Sequence, residues 1–518
     1  MKRRITFVQP DNAPFDPSQA ELTASALSVR ALDAAREDRI TVGLDELPEE
    51  SQLRTVLRQS HELHLRWSTE RSYHALAPFA SRVSPGLHVF YTPLSSDRSS
   101  ETLCPLLRAA FGDGVDCTNP EDSFITPPLL STRFAASASL QFHTRLPSLE
   151  PLVEFIGRTA CEQRKDSACL DNARSLRSAD SLDIDYDSIS HTLTLTGLWT
   201  SPPSGGWTEV VRKPISDADQ VEFGLLSSDK AVDLEELKMG GLLAVVGKDK
   251  KLKPTMFSFP SRHHPLPKEA SYEVSFPPPT GLHPTLSISM PQSSLQRPPA
   301  PDHATCALHT YLTLPSTVFG DQYQLGTSDS LFLQSHNLVA LRALAGETDL
   351  EAPDWVIPRW GSTWLLELAT PKTETTEANW TATIPLHLRY LDPSESGYRS
   401  ADIPWPVVFW ACTAEDGTKM GTNPFDRTNL GWDGLFGPRT MFFQLQPSPS
   451  AKLVEHIDVP VMRLRGAEGL FQARNIELGT VLVVGLGFLW VVLRLVRVAW
   501  SFGVGSKRHG GTSRTKKD

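Results

Sequence analysis

The sequence has no net basic charge outside its carboxy-terminal tail. From Arg494 to the end, seven Lys or Arg stand against one acid, so this tail carries +6. Because the whole chain has a formal net charge of −10, the residues before Arg494 carry −16. Binding to nucleic acid needs clustered cations on the folded part of a protein. The charge distribution therefore excludes a nucleic-acid-binding protein.

Long apolar runs are also scarce, since only one occurs, close to the carboxy terminus. With 40% hydrophobic and 21% charged residues, the composition excludes a multi-spanning membrane protein and a wholly disordered chain. Glycines (32) are fewer than prolines (41), and so much proline argues against long uninterrupted helices. We expect strands, turns and loops to dominate, in about three domains at roughly 150 residues each.

Motifs of common catalytic and cofactor sites are missing. The sequence has no G-x-x-x-x-G-K-S/T, no G-x-G-x-x-G, no C-x-x-C and no G-x-S-x-G. Asp183 and Asp185 form a D-x-D, a spacing at which two carboxylates can hold the divalent cation of a nucleotide-sugar transferase. On a strand these two residues face the same side, where aspartates are usually solvated. We favour the solvated interpretation.

The HELH sequence is the other candidate for metal binding. His61 and His64 miss the H-E-x-x-H spacing that places two imidazoles on one helix face, and we interpret them as polar members of a half-buried strand. The sequence therefore predicts no catalytic residue, no metal ligand and no cofactor site. This pattern favours binding or support over catalysis.

The apolar run LGTVLVVGLGFLWVVL, residues 478–493, is the strongest signal in the sequence. It would extend to Trp500 if Arg494 and Arg497 snorkel. At 1.5 Å per residue it spans about 24 Å, or about 34 Å when extended, which brackets the roughly 27 Å core of the endoplasmic reticulum membrane. We predict one transmembrane helix over residues 478–498. A buried core helix, the alternative, usually keeps a polar stripe, which this run lacks.

The flanks of this run indicate its orientation. The basic residues at and after its end place residues 499–518 in the cytosol as a basic tail. The acidic body would then be lumenal or extracellular, yet MKRRITFVQP is not followed by the apolar region of a standard signal peptide. A tail-anchored protein with a cytosolic body remains an alternative. The final RTKKD is similar to a degenerate basic retrieval signal, or is a generic basic tail.

Two weaker features favour the lumenal side. Asn379 begins the only N-x-S/T sequon without a central proline and is the candidate glycosylation site. Six cysteines form an even set, in which two pairs could close short loops and the last two could pair over a long range. These pairs are Cys104 with Cys117, Cys161 with Cys169, and Cys306 with Cys412. Fifteen connectivities are possible, and six buried free thiols of a cytosolic protein are the alternative.

The chain is predicted to be mainly β, with three segments before the span. Residues 1–253 are expected to form a mixed β/α domain, with strands at ITFVQ, HELHLRW and GLHVFYTPL and a hairpin over residues 183–199. Short helices are expected at LDELPEESQLRTVLRQS and ETLCPLLRAAF. Residues 254–301 are interpreted as a proline-rich linker with edge strands, with the boundary near Pro260.

Residues 302–470 are expected to form an antiparallel β-sandwich. Strand-length runs recur between Pro, Gly, Asp and Ser: ALHTYLTLP, WLLELATP, WTATIPLHLRYL and VVFWAC. Eight aromatic residues crowd this region: Trp355, Trp360, Trp405, Trp410, Phe425, Trp432, Phe436 and Phe442. Aromatic side chains are enriched in interface hot spots, but for most of these we expect the core of the sandwich.

Several runs of the carboxy-terminal region resemble one family. CALHTYLTLPSTVFGDQYQL, ETDLEAPDW, IPLHLRYLDPSESGY, IPWPVVFWAC and NPFDRTNLGWDGLFGPRTMFFQLQP, followed by one span, are similar to the PIG-X family and its fungal counterpart, named for protease B non-derepressible mutants. This resemblance covers about residues 265–500. The amino-terminal runs ITFVQP, SHELHLRW and SRVSPGLHVFYTP resemble the longer fungal members, so the resemblance extends over essentially the whole chain.

The resemblance implies a specific function. Such proteins are single-span residents of the endoplasmic reticulum with a lumenal amino terminus and no cleaved signal peptide. They are non-catalytic subunits of glycosylphosphatidylinositol (GPI) mannosyltransferase I and stabilise its multi-spanning PIG-M-type catalytic subunit, which adds the first mannose. Fungal members are also linked to the folding of other lumenal proteins. The resemblance carries over no catalytic residue, and it implies that the ectodomain rather than the span carries the contact.

Two other functions remain alternatives. One is a general lumenal chaperone, or a carbohydrate- or peptide-binding sandwich, without a mannosyltransferase partner. The other is a glycosyltransferase in its own right, for which Asp183 and Asp185 would be the candidate residues.

Overall fold

The structure is a computed structural model of the chain. It describes residues 1–10, 16–94, 101–128, 139–161, 167–278, 280–371, 379–414, 425, 431–449, 451–464 and 473–505. The chain divides into two compact units. The larger, here called the body, comprises Met1–Leu391 and Ser400–Val459, and the smaller, here called the C-terminal unit, comprises Asp392–Arg399 and Pro460–Asp518. The fold is mainly β, as predicted.

Ten strands of the body form one mixed sheet. In spatial order they are β13 (Lys253–Pro260), β12 (Glu236–Val245), β11 (Gln220–Asp229), β1 (Lys2–Val8), β4 (Ala35–Gly43), β9 (Thr192–Trp199), β8 (Ser181–Asp187), β5 (Ser60–Ser68), β6 (Gly86–Pro93) and β7 (Leu140–Thr144). Strands β1 and β11 pair in parallel, and the other neighbours pair antiparallel. Strand β1 therefore lies inside the sheet, between strands from distant parts of the chain.

The part of this sheet around β5 has one apolar and one polar face. Side chains alternate along a strand, so Leu63, Leu65 and Trp67 share one face, whereas His64 and Arg66 share the other. The apolar three pack into a core with side chains from α1 (Gln52–Arg58), α2 (Leu103–Phe111) and α4 (Glu150–Ile156). The polar face is buried too, since Arg66 is only 3% exposed. Charged groups on that face must therefore be paired within the protein.

A second, smaller sheet packs near β1. It contains β10 (Trp207–Arg212), β3 (Ala26–Leu32) and β2 (Ala20–Leu22). Ile5 and Phe7 of β1 share a buried cluster with Leu27 and Val29 of β3. Further short α-helices in the described part of the body are α3 (Pro120–Ser123), α5 (Ser167–Ser175), α6 (Gln322–Leu325) and α7 (Ser330–Ser335).

The carboxy-terminal part of the body is a β-sandwich, as predicted, although one pairing at the edge of each of its sheets is parallel and not antiparallel. Its six-stranded sheet has the order β14 (His263–His264), β25 (Thr440–Gln444), β24 (Val407–Thr413), β17 (Thr305–Pro315), β20 (Gly361–Leu368) and β19 (Leu338–Gly346). Its four-stranded sheet has the order β21 (Asn379–Pro385), β16 (Thr285–Pro291), β15 (Ser271–Ser275) and β26 (Gln446–Pro447). Tyr272 Oη donates to Pro406 O (2.7 Å), and Trp410 Nε1 donates to Ser294 O (3.1 Å). These bonds join the two layers.

Two further strand pairs complete the sheets. Strand β18 (Val318–Phe319) pairs with β22 (His387–Leu388), and β23 (Tyr398–Pro404) pairs with β27 (Val454–Pro460). The runs chosen from the sequence as strands coincide with β1, β5, β6, β17, β20, β21 and β24, and the two predicted helices overlap α1 and α2. These predictions are confirmed.

The predicted hairpin is formed by β8 and β9, and its turn is stabilised by one carboxylate. Asp187 Oδ1 accepts hydrogen bonds from the backbone N–H groups of Ile189 (2.9 Å) and Ser190 (2.8 Å). Asp187 Oδ2 accepts a third from the Ser190 hydroxyl (2.7 Å). Such local bonds are the reason that Asp and Ser favour turns.

The six cysteines form three disulfides, in the pairs considered from the sequence: Cys104–Cys117, Cys161–Cys169 and Cys306–Cys412. Cys306 on β17 lies directly opposite Cys412 on β24, which places the two side chains on one face of the sheet. This bridge closes the longest loop, with a sequence separation of 106 residues.

Residues 254–301 contribute strands to three sheets. Strand β13 pairs with β12 in the ten-stranded sheet, β14 pairs with β25 in the six-stranded sheet, and β15 and β16 pair with each other in the four-stranded sheet. The domain boundaries drawn from the sequence stay a prediction.

The C-terminal unit contains a short strand-like pairing and one long helix. Ser394 N donates to Met462 O (3.1 Å), and Leu464 N donates to Ser394 O (2.8 Å). The helix, α8 (Ala473–Gly505), has 33 residues. Its part Arg474–Trp500 is long and apolar enough to cross a membrane, and this part contains the predicted span.

Candidate functional site

Each carboxylate of the D-x-D is paired with a side chain of the neighbouring strand, one with a guanidinium and the other with an imidazole. Asp183 and Asp185 lie on β8, opposite Arg66 and His64 of β5. Arg66 Nη1 is 3.2 Å from Asp183 Oδ1, and His64 Nδ1 is 2.8 Å from Asp185 Oδ1. Opposite charges at directly facing positions stabilise antiparallel strands. The pair of aspartates therefore has a role in the polar face of the sheet, rather than the simple solvation expected from the sequence.

The HELH residues lie on β5, so the predicted strand is confirmed, but it is buried on both faces and not half-buried, since Glu62 and His64 are each only 9% exposed. Among the residues that the structure describes, no group of three or more His, Cys, Asp or Glu side chains is placed to hold a metal ion.

Two buried histidines lie next to each other at the end of the polar face. His88 on β6 faces His143 on β7, with ring centroids 4.5 Å apart. Each ring bonds a backbone carbonyl through Nε2, His88 to Ser84 (2.7 Å) and His143 to Pro85 (3.0 Å). Burial lowers the pKa of His143 to about 4 and the pKa of His88 well below its usual value. Both rings are therefore neutral near neutral pH.

We expect the free energy of unfolding to fall as the pH falls from about 6.5 to about 4. In this window the unfolded chain binds more protons than the folded chain, because the pKa of His143 is lower in the folded state. The loss is up to about 3 kcal/mol for His143, and above pH 6.5 this loss disappears. Thermal unfolding of the full chain in detergent at several pH values measures it.

His143→Gln keeps an N–H donor and should reduce this pH dependence. His303→Gln, at an exposed position, is the matched control and should leave the pH dependence unchanged. An equal pH dependence in the His143 variant and the wild type would contradict the assignment.

Arg82 connects the segment between β5 and β6 to the six-stranded and four-stranded sheets. Its backbone N–H donates to Gln444 Oε1 (2.7 Å), and its Nη2 donates to Gln446 Oε1 (2.8 Å) and to Tyr73 O. The guanidinium lies over the Tyr73 ring, 4.4 Å from its centroid. Trp432 Nε1 completes the junction by donating to Arg82 O (3.3 Å). These contacts hold together two halves of the body: the amino-terminal half with the ten-stranded sheet, and the carboxy-terminal half with the β-sandwich.

The NPFDRTNLGWDGLFGPRT run contributes aromatic side chains to both halves. Phe425 packs against Phe79 and against Phe259 of β13, with ring centroids 5.3 and 5.0 Å away. Trp432 is fully buried, and its ring stacks on Phe409 of β24 at 4.3 Å. Of this run, residues 423, 424 and 426–430 lie outside the described residues. The described side chains of this run therefore have a structural role within the body.

Most of the eight aromatic residues noted in the sequence belong to the core, as expected. Five are buried: Trp405, Trp410, Phe425, Trp432 and Phe442. Trp360 and Phe436 are partly exposed, and Trp355 is 58% exposed. Of the eight, Trp355 is therefore the candidate for an interface.

Trp355 belongs to an exposed apolar surface that includes a residue not noted in the sequence. Val356 is exposed next to it in the chain, and Leu350 is exposed earlier in the same loop. Tyr390, 64% exposed, is joined to this loop because Asp354 N donates to Tyr390 O (3.0 Å). We call Leu350, Trp355, Val356 and Tyr390 the Trp355 surface. Aromatic residues exposed together are typical of interaction sites.

A buried arginine holds the loop that carries this surface. Arg389 is 2% exposed, and its Nη1 donates to the backbone oxygens of Ala352 (2.8 Å) and Asp349 (2.5 Å). Its guanidinium also lies over the Phe319 ring, 4.2 Å from the centroid. The loop is thus fixed by hydrogen bonds before any partner binds, which lowers the entropy cost of association.

Asn379 is the first residue of β21, and it is exposed. The following Trp380 is fixed by a hydrogen bond from its Nε1 to Ala369 O (3.0 Å). Exposure is required of an acceptor for an N-linked glycan. Glycosylation of Asn379 stays a prediction.

These features define a class of protein: a large β-sheet body with an exposed aromatic surface, followed by a helix that is a candidate membrane span. A family described as PIG-X / PBN1 matches residues 279–496. Protein pbn1 of Aspergillus oryzae is 59% identical to the chain, with 98% of each chain covered. Protein pbn1 of Neurospora crassa is 43% identical, over 98% of this chain and 96% of the relative. The chain belongs to the PIG-X/PBN1 family.

Family membership supports a role in the biosynthesis of GPI anchors. More distant relatives also match along most of their length: Protein PBN1 of Yarrowia lipolytica is 26% identical, over 86% of this chain and 87% of the relative.

Proposed function

We propose that the chain is a non-catalytic subunit of GPI mannosyltransferase I. In this role it stabilises the multi-spanning PIG-M-type catalytic subunit, which adds the first mannose to the GPI precursor, and it supports the folding of some other lumenal proteins. The observation that carries this proposal is family membership across essentially the whole chain, at 59% identity to one relative. The internal pairing of the D-x-D carboxylates supports a non-catalytic role.

The proposed location is the endoplasmic reticulum membrane, with the body in the lumen and the basic tail in the cytosol. The charge of +6 from Arg494 onward supports this orientation, because positive residues are retained on the cytosolic side. The three disulfides support a lumenal body, because disulfides persist in oxidising compartments.

We assign the contact with the catalytic subunit to the Trp355 surface. A subunit that stabilises a partner needs an apolar face that is exposed when the partner is absent. Trp355 and Tyr390 supply aromatic rings of the kind that dominate interface energies, and Arg389 fixes the loop that carries Trp355.

The test is depletion of the chain followed by re-expression of variants. Depletion should lower both the abundance of the catalytic subunit and the transfer of the first mannose in microsomes, and the wild type should restore both. Trp355→Ala should reduce co-purification of the catalytic subunit about tenfold or more, as for a hot-spot residue. Tyr323→Ala removes an aromatic ring that is 74% exposed and is not one of the four residues of the Trp355 surface, and it should have no effect.

Asp185→Asn tests the glycosyltransferase alternative and should leave mannose transfer intact. Asp183 is the poorer choice, because removing it would leave the buried Arg66 guanidinium without this carboxylate. Loss of transfer in Asp185→Asn with a normal level of the catalytic subunit would contradict the proposal. Damage to many lumenal proteins on depletion, with the mannosyltransferase unaffected, would instead support the general chaperone.

A further inference from the structure

A cleft of about 570 Å³ opens on one face of the six-stranded sheet. Its floor is made of apolar side chains, three of which are alanines: Ala307 of β17 lies directly opposite Ala411 of β24, and Ala343 of β19 lies opposite Leu365 of β20. Trp410 points to the other face, where it bonds Ser294 beside the four-stranded sheet. We call this site the His309 cleft. Its volume lies within the roughly 300–1,000 Å³ of small-ligand sites.

One wall of the cleft carries a charged pair that a β-bulge places there. The pairing of β19 with β20 shifts between Leu341 and Ala343, so that Arg342 is the extra residue. Bulges re-aim side chains and are frequent beside functional sites. Arg342 Nε donates to Glu367 Oε2 (2.7 Å), and Nη2 donates to the same oxygen.

Both hydrogen bonds from Arg342 go to Oε2 of the Glu367 carboxylate, and neither goes to Oε1. Among the residues that the structure describes, neither Glu367 Oε1 nor Arg342 Nη1 has another hydrogen-bond partner. The cleft therefore presents an acceptor beside a donor, with a net charge near zero. Two neighbouring hydroxyl groups match this arrangement, because one can donate to Oε1 while the next accepts from Nη1.

The opposite wall is aromatic. Phe436 is partly exposed, and its ring lies edge-on to the His309 imidazole, with centroids 5.1 Å apart. His309 Nδ1 bonds Ala307 O (3.0 Å), and in the neutral ring this bond leaves Nε2 as an acceptor. The cleft thus combines a flat apolar ring, a neutral imidazole and the Arg342–Glu367 pair.

These groups favour a neutral ligand with several hydroxyl groups over the other classes. An extended peptide would find no free main-chain partners on the floor, because the strands there are already paired with each other. An anion such as phosphate would meet an arginine that is already neutralised by Glu367. We propose that the His309 cleft binds the pyranose ring of a hexose, with one face of the sugar against Phe436 and its vicinal hydroxyls on Glu367 and Arg342.

The inference does not rest on the proposed function, because binding is measured on the chain without a catalytic subunit. The full chain, in a detergent that has no sugar headgroup, is titrated with methyl α-D-mannopyranoside and methyl α-D-glucopyranoside, and saturation-transfer NMR detects the bound ring. At least one of the two should bind. Arg342→Gln and Glu367→Gln should each weaken binding about tenfold or more, as expected for loss of a charged hydrogen-bonding partner.

Two further variants separate recognition from folding. Ala307→Phe fills the floor and should abolish binding while the thermal unfolding midpoint stays close to that of the wild type. Arg359→Gln removes the arginine of a matched exposed pair, Arg359 with Glu347 (2.9 Å), outside the cleft, and it should bind as the wild type does. Absence of binding by both methyl glycosides, or wild-type binding by Ala307→Phe, would overturn the proposal.

Two sources could supply such a sugar, and a second titration distinguishes them. A mannosyl-glucosaminyl-phosphatidylinositol in lipid bicelles represents a membrane-linked glycan, and a free high-mannose oligosaccharide represents the glycan of a glycoprotein. If one of these two ligands binds more tightly than the other and Glu367→Gln abolishes this binding, the result supports the cleft as the binding site and identifies the source of the sugar. Equal binding by the wild type and Glu367→Gln would place recognition elsewhere and overturn the assignment.

Discussion

Replacing both Cys306 and Cys412 by alanine is expected to lower the free energy of unfolding of the chain by about 4 to 5 kcal/mol. The bridge closes a loop with a sequence separation of 106 residues, and a cross-link over so long a loop removes much conformational entropy from the unfolded chain. It also joins directly opposed residues of β17 and β24 inside the sandwich. Chemical denaturation of the full chain in detergent measures the change.

The Cys161–Cys169 bridge supplies the matched control. Its sequence separation is only 8 residues, so the same double replacement by alanine should cost roughly 2.5 kcal/mol. The two variants lose the same number of sulfur atoms, and their difference therefore reports the effect of loop length. A larger loss for the Cys161/Cys169 variant than for the Cys306/Cys412 variant would contradict this account.

Trp432→Ala is expected to destabilise the body by about 3 to 5 kcal/mol, as for other large aromatic residues in cores. The indole is 0% exposed and is packed between Phe409 and Phe442, with ring centroids 4.3 and 5.0 Å away. Its Nε1–H bonds Arg82 O, so the substitution also removes one of the contacts between the two halves of the body. A lower unfolding midpoint and faster limited proteolysis should follow.

Trp355→Ala makes the same chemical change at an exposed position. We expect its stability to stay within about 0.5 kcal/mol of the wild type, because surface substitutions away from packed or bonded features rarely cost more. The two tryptophans should therefore separate two effects: Trp432→Ala lowers the level of the chain itself, and Trp355→Ala lowers association with the catalytic subunit. Equal stability of the two variants would show that Trp432 does not contribute to the core as its burial indicates.

The sequence predicted the elements of the fold well because their signals are local. Alternation along HELHLRW and the turn residues between β8 and β9 each depend on a few neighbouring residues, and both predictions agree with the structure. The three cysteine pairs of the structure were one possibility from the sequence, because two of them are close in sequence, but spacing alone left other connectivities and free thiols open.

Contacts between distant residues could not be read from the sequence. Arg82 meets Gln444 and Gln446 more than 360 residues away, and no local pattern records such a contact. The ion pair of Asp183 with Arg66 depends on the register of β5 against β8. The same holds for Trp355, since its exposure depends on which strands cover the other aromatic residues.

The Arg342–Glu367 pair was missed for another reason. Its geometry requires a one-residue bulge in β19, and a bulge moves a side chain to the opposite face without any change in composition. The family resemblance, by contrast, identified the chain from the sequence alone, although it did not indicate which surface is used.

The position of β1 within the ten-stranded sheet has a consequence for synthesis of the protein. Strand β4 can pair with one edge of β1 soon after both leave the ribosome, but the other edge pairs with β11, about two hundred residues later. At about 5–20 residues per second, that edge stays open for roughly 10 to 40 seconds. An unpaired strand edge is a template for pairing with other chains. We therefore expect the nascent chain to depend on chaperones of its own compartment during this interval. Crowding by other nascent chains should lower its yield more than that of a protein built from consecutive hairpins.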